Sequence, residues 1–222
     1  TILLNEEEIG LRDMRGELNG APLALSATIT PSATPRLVAT VGLPRGQLWI
    51  TARLMPEEIR VDQGQFALEQ TRLHFSGTIG RRPERPSAVS LSGLLELSEL
   101  PFLPLPAQAV ASGRPGPALA SWQLRGLAEV DANARGRWSD WREAVFQLRL
   151  QADRLQIREI ELRQLVCVVE QNTRRVRVQI PSAFVADGKF GSELILDHRR
   201  QTTDFVWQAD LVGLQLANLK QT

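Results

Sequence analysis

The stretch Phe146-Gln147-Leu148-Arg149-Leu150-Gln151-Ala152 sets an apolar side chain at every second position with Gln or Arg between. Successive side chains of an extended chain point to opposite sides, so these seven residues predict a strand with one apolar face and one wetted face. The same period recurs outward in both directions. Toward the N-terminus it appears in Leu73, Phe75, Gly77 and Ile79, in Leu48, Ile50, Ala52 and Leu54, and in Leu23, Leu25, Ala27 and Ile29. Toward the C-terminus it appears in Val176, Val178 and Ile180, in Phe190, Ser192, Leu194 and Leu196, and in Phe205, Trp207, Ala209 and Leu211. Alternation of this kind marks antiparallel sheets that bury one face.

The strands read as long, about 7 to 11 residues, or about 25 to 37 Å at ~3.4 Å per residue. The polar connections between them, such as Gln171-Asn172-Thr173-Arg174 and His198-Arg199-Arg200-Gln201, are of hairpin length. Strands adjacent in sequence are therefore expected to be adjacent in the sheet. Helix is scarce: Met55-Pro56-Glu57-Glu58 and Ser139-Asp140-Trp141-Arg142-Glu143 offer one turn each. The proline-rich stretch from Pro101 to Pro117 is excluded from a central strand. It divides the chain into an N-terminal β lobe (1–100), a linker or extended loop (101–117) and a C-terminal β lobe (118–222), read as two lobes of one continuous sheet. Val61-Asp62-Gln63-Gly64-Gln65-Phe66 and Val185-Ala186-Asp187-Gly188-Lys189-Phe190 echo one another. Each is read as an acidic-Gly turn before a strand, hence as a repeated hairpin unit.

Composition narrows the function. The 222 residues carry 26 basic and 25 acidic side chains, a net charge of +1, which argues against a nucleic-acid binder. Cys167 is the single cysteine, so no intrachain disulfide forms, and its apolar neighbours Val166, Val168 and Val169 make it a small buried hydrophobe. No run approaches the ~18 apolar residues of a membrane span, and the opening residues, Thr1-Ile2-Leu3-Leu4, do not read as a signal peptide. The chain reads as a segment whose anchor lies outside it. No nucleophile elbow, phosphate loop or His-Glu-x-x-His motif occurs. Asp197 and His198, adjacent in an alternating strand, point to opposite faces and do not make a metal pair. His74, between Leu73 and Phe75, falls on the polar side. Catalytic residues, metal and cofactor are accordingly expected to be none. The pairs Arg174-Arg175 and Arg199-Arg200 fall at expected hairpin tips, where charges are usually just solvated; contact with acidic lipid head groups or a partner is the alternative reading.

What remains is a large apolar inventory with little helix to cover it. Such a face must be buried. Either the sheet closes on itself as a sandwich or barrel, or it curls into an open groove that holds something apolar; the alternation does not choose between these.

Three segments carry a resemblance. Ile157 to Leu162 with Val176-Arg177-Val178, then Ala186-Asp187-Gly188-Lys189-Phe190-Gly191-Ser192-Glu193-Leu194-Ile195-Leu196-Asp197, then Ala209-Asp210-Leu211-Val212-Gly213-Leu214-Gln215-Leu216-Ala217-Asn218-Leu219 are similar to the C-terminal pattern of AsmA-like proteins. Asp187 stands where that pattern has a second glycine. Gly16-Glu17-Leu18-Asn19-Gly20-Ala21-Pro22-Leu23 resembles a turn of the YhdP branch, and Leu94 to Leu103 resembles the family's strand that ends in Leu-Pro. The resemblance, to the AsmA, TamB and YhdP group of repeating β-groove bridge-like lipid transfer proteins, implies a curved, twisted antiparallel sheet forming an open groove. It implies a periplasmic, inner-membrane-anchored location in a diderm envelope and phospholipid acyl chains as the occupant. The residues expected to line the groove are then Leu73, Phe75, Phe146, Leu148, Leu150, Phe190, Leu194, Phe205 and Trp207. The competing expectation is a structural or assembly module that binds envelope protein partners through its β edges.

Overall fold

The computed structural model describes residues 2–4, 7–18, 21–102, 123–137, 144–172, 174–197 and 204–213. They are almost entirely strand. The first eight are β1 (Ile2–Leu4), β2 (Ile9–Leu18), β3 (Ala21–Thr30), β4 (Arg36–Leu43), β5 (Gly46–Leu54), β6 (Glu58–Ala67), β7 (Arg72–Gly80) and β8 (Ser87–Glu96). A six-residue 3-10 turn, Leu97–Phe102, follows. The remainder are β9 (Leu124–Arg125), β10 (Leu127–Gly136), β11 (Val145–Ile157), β12 (Ile160–Asn172), β13 (Arg175–Val185), β14 (Gly188–Asp197) and β15 (Asp204–Val212).

The strand order simply follows the sequence, with only the two-residue β9 off the path on β11. Among the described residues this is an open antiparallel sheet: its order is a path and not a ring, which sets the closed barrel aside. Most of the up-and-down order follows from connections of two to six residues, which reach little but an antiparallel neighbour; the longer 97–126 between β8 and β10 and 137–144 between β10 and β11 do not by themselves require it.

Contacts divide the chain into two compact units. Unit 1 is 1–93 with 133–144, and unit 2 is 94–132 with 145–222. β8 and β10 thus each contribute to both. Most of the proline-rich stretch, and the turn read at 139–143, lie outside the described residues. The turn read at Met55–Glu58 is the β5–β6 hairpin, closed by the Met55 N–H donating to the Glu58 carbonyl at 2.9 Å.

In unit 1 the alternating sets fall in register on one face. Leu25, Val41, Leu48, Phe66 and Leu73 form one cross-strand row. Ala27, Ala39, Ile50, Gly64 and Phe75 form the next. This face is well filled: Ala52 is 1% exposed, Phe66 4% and Leu73 5%. Gly64 allows the filling, because a Cβ there would stand 2.2 Å from the Phe75 ring, which lies flat across it.

The strands are bent by bulges. Extra residues interrupt the β2–β3 register between Leu11 and Met14, where Asp13 takes φ of 51°. The β12–β13 register slips between Arg163 and Val168, next to Gln164 at φ of 50°. A further irregularity lies between Ile180 and Ala183 and contains Pro181, which a bulge can hold inside a sheet because the ladder hydrogen bond is already lost there. Bulges raise local twist and curve a strand.

One sequence expectation is corrected. Ala186-Asp187 is the two-residue turn of the β13–β14 hairpin, but Asp62-Gly64 lies in the middle of β6, where the register slips by one residue. The two segments are not copies of one hairpin unit. Asp62 is held in its bulge by Arg53, whose guanidinium donates to both carboxylate oxygens, whereas Asp187 stands at a turn and accepts from Arg163.

Candidate functional site

An open apolar surface belongs to unit 2. Leu148 stands opposite Val169, Val169 opposite Val178, Val178 opposite Leu194, and Leu194 opposite Trp207. That row crosses five strands, roughly 19 Å at the ~4.8 Å spacing of neighbouring strands. Phe146, Gln171, Val176, Leu196 and Phe205 form a parallel row on the side of the strand ends. Leu150 with Cys167, and Ile180 with Ser192 and Ala209, continue the face in the other direction. Ala152 with Leu165, and Ala183 with Phe190 and Leu211, complete it.

Exposure grades along these rows. Ala152, Leu165 and Ala183 are 3%, 5% and 0% exposed. Leu148, Val169, Val178 and Leu194 are half-buried. Phe205 and Trp207, on the outermost described strand, are 70% and 66% exposed. The buried end is next to the 3-10 turn, whose first residue, Leu97, is itself buried and donates its N–H to the Gly126 carbonyl at 3.0 Å. Glu96 braces the same corner by accepting from the Gly126 N–H at 3.0 Å. Among the described residues no α-helix lies over any part of this face.

Two polar side chains interrupt the apolar rows. Ser192 accepts from the Trp207 indole N–H at 2.9 Å and donates to the Gln208 carbonyl at 3.2 Å. This satisfies the one polar atom of the tryptophan and fixes its ring against β14. Gln171 is the second.

The opposite face mixes polar side chains with Val166, Val168, Ile195 and Val206, and exposed polar pairs cross its strands. Arg177 pairs with Glu193 across β13 and β14, and Gln179 donates to the same carboxylate. Gln147 donates to Glu170 across β11 and β12. Exposed pairs of this kind contribute at most about 1 kcal/mol each, so they mark the wet side more than they hold the sheet.

All seven of the candidate lining residues in the C-terminal half, Phe146, Leu148, Leu150, Phe190, Leu194, Phe205 and Trp207, fall on this one face. The two from the N-terminal half, Leu73 and Phe75, fall on the apolar face of unit 1, Leu73 buried and Phe75 spread over Gly64. The alternation missed Val169 and Leu165. β12 carries Val166-Cys167-Val168-Val169, apolar on both sides, so no period shows in it. Val166 and Val168 turn to the polar side, opposite Gln151 and Arg149. The only legible signal was that Val169 and Leu165 share parity with Cys167.

Chemistry is sparse on this surface. Cys167 lies on the apolar face opposite Leu150, and burial pushes its thiol pKa up, the reverse of what a nucleophile needs. His74 is exposed on the polar face opposite Gln65. No group of three metal-ligating side chains occurs among the described residues. The shallow depression at the β12 bulge, bordered by Asp153, Arg154, Arg163, Gln164, Phe184 and Asp187, has its Arg163 engaged by Asp187.

Compared with known proteins, the chain matches no family model, no curated protein and no solved structure.

Proposed function

We propose that the open apolar face of unit 2 holds phospholipid acyl chains. The chain would serve as a non-enzymatic segment of an envelope-spanning protein that carries lipid between inner and outer membranes. The observation that carries this reading is the row Leu148–Val169–Val178–Leu194–Trp207, apolar across five strands, half-buried at its first four members and exposed at Trp207. A sheet face of this width is stable in water only when something apolar lies on it. An acyl chain fits because it needs no directional partner, and the face offers almost none. Burial stabilises by about 0.8 kcal/mol per methylene, so tails would lie along the rows while head groups stay wet at the open side. The family resemblance supplies the periplasmic setting, and anchoring would come from regions outside this segment. Native mass spectrometry of the purified chain should find phospholipid bound; a lipid-free particle would refute the reading.

A second reading has its own observation. β15 pairs with β14 alone among the described residues, and Phe205, Val206, Trp207, Leu211 and Val212 are 50–70% exposed. An assembly module that adds a partner strand to β15 would use that edge. It predicts a protein complex without lipid.

A further inference from the structure

We propose that the polar face of unit 1 binds an uncharged oligosaccharide at a site built around Trp49. The inference is independent of lipid holding, because it rests on the side of unit 1 that turns away from its filled apolar rows. Leu48 and Ile50 belong to those rows, so Trp49 between them stands on the other face. There Ser26, Thr40, Trp49, Gln65 and His74 form one cross-strand row over β3 to β7. Gln47 and Thr51 flank Trp49 along β5, and Gln63 stands opposite Thr51. Trp49 itself is half-buried, so its ring meets both the sheet and solvent.

The hydrogen-bonding capacity of this patch is open. Among the described residues the side chains of Thr40, Gln47, Trp49, Gln63, Gln65 and His74 have no hydrogen-bond partner. The charged groups at its margin are engaged: Arg53 with Asp62, Arg72 with the Leu68 and Thr71 carbonyls, and Glu8 with Thr28. An aromatic ring is thus ringed by neutral donors and acceptors, in a chain that is 23% charged.

That combination selects the ligand. A sugar ring presents C–H groups on its flat face, which pack on an indole, and hydroxyls around its rim, which both donate and accept. Amide, hydroxyl and imidazole side chains do the same. Cross-strand neighbours at about 5 Å and diagonal ones at about 7–8 Å place them around a ring stacked on Trp49. The row from Thr40 to His74 covers roughly 14 Å at the ~4.8 Å strand spacing, so it accommodates more than one sugar. A nucleic acid would stack a base on Trp49 but find no unengaged cation for its phosphates. A protein hot spot would set the tryptophan in a desolvated pocket, whereas its row neighbours here are Thr40 and Gln65.

The test is titration of the full chain with hexasaccharides of glucose, mannose, galactose and N-acetylglucosamine, read on the indole N–H signals of a proton–nitrogen correlation spectrum. The chain has five tryptophans, and Trp49→Phe identifies the signal of Trp49. At least one saccharide should move that signal saturably, and should do so equally at about 1 M salt, because no ion pair is involved. Trp49→Ala should weaken binding about tenfold or more. Gln47→Ala/Gln65→Ala removes only side chains without an internal partner. It should weaken binding about tenfold while keeping the parental urea midpoint, and it decides the matter if Trp49→Ala fails to fold. No response to any of the four saccharides, a response abolished by salt, or binding unchanged in Gln47→Ala/Gln65→Ala would overturn the proposal. A protein partner that engages Trp49 in a chain that ignores saccharides would overturn it as well.

Discussion

Replacing Leu194 by Arg separates an open lipid-bearing face from a closed core. Leu194 is half-buried, between Val178 and Trp207 in the five-strand apolar row. Full burial of a leucine is worth about 1.5–3 kcal/mol, so losing a half-buried one costs about 1 kcal/mol, while the long arginine stem carries its charge out to water. Leu165 on the same face is 5% exposed. An arginine there would bury an unpaired charge and overfill its site, which costs upward of about 4 kcal/mol. That is much of the ~5–15 kcal/mol by which domains are stable. The effect on lipid should run the other way. A guanidinium across the row excludes some three or four methylenes at about 0.8 kcal/mol each, roughly a hundredfold loss of occupancy. Urea unfolding followed by tryptophan fluorescence gives the first quantity, and lipid extracted per mole of purified chain gives the second. Leu194→Arg should keep a near-parental unfolding midpoint and lose its lipid, whereas Leu165→Arg should fail to fold. If Leu194→Arg unfolds as badly as Leu165→Arg, the face is a sealed interior; if it keeps a full lipid load, the lipid lies elsewhere.

Other consequences are open to measurement. Because burial raises the Cys167 pKa, its alkylation should be slow at neutral pH and should rise at a higher pH than that of a free thiol, near about 8.5; added phospholipid should slow it further, and stopped-flow labelling reads both. Gly64→Ala pushes a Cβ into the Phe75 ring and should destabilise unit 1 by about 1–3 kcal/mol in chemical denaturation. Arg53 holds the Asp62 carboxyl below its ordinary range, so the pair's contribution is fully present above about pH 4, the unfolded value, and is lost as pH falls through the folded one. Asp62→Asn should therefore match the parent in acid and fall below it at neutral pH in a series of unfolding midpoints. Ser192→Ala leaves the Trp207 indole N–H without its acceptor and should shift tryptophan emission with little change in stability.

Much of this fold was legible because side-chain alternation and strand geometry share a period of two. Leu148, Leu194 and Trp207 could be set on one face each from its own strand, and short connections such as Ala186-Asp187 then fixed which strands met. Register was not legible. That Val178 and Leu194 share one row depends on the irregularity at Pro181, which shifts the β13–β14 register by one residue, and a bulge leaves no composition signal distinct from a turn. Asp62-Gln63-Gly64 shows the ambiguity: its composition reads as a turn, yet cross-strand pairing with Arg53 keeps it inside β6. β12 was opaque for a different reason, since Val166 and Val168 on its polar side erase the alternation. Which candidate lining residues stay open was likewise beyond the pattern. Leu73 and Leu148 alternate alike, but only the neighbouring strands decide that the first is buried and the second half-exposed.

The account turns on which side of β14 an acyl chain touches. A photoreactive diazirine side chain placed at Leu194, and separately at its neighbour Ile195 on the opposite face, should be irradiated in the chain as purified from a phospholipid-containing host and the adducts weighed. The account predicts phospholipid adducts at 194 and essentially none at 195, with the same alternation between Leu148 and Arg149. Equal labelling at both positions, or none at 194, would contradict it.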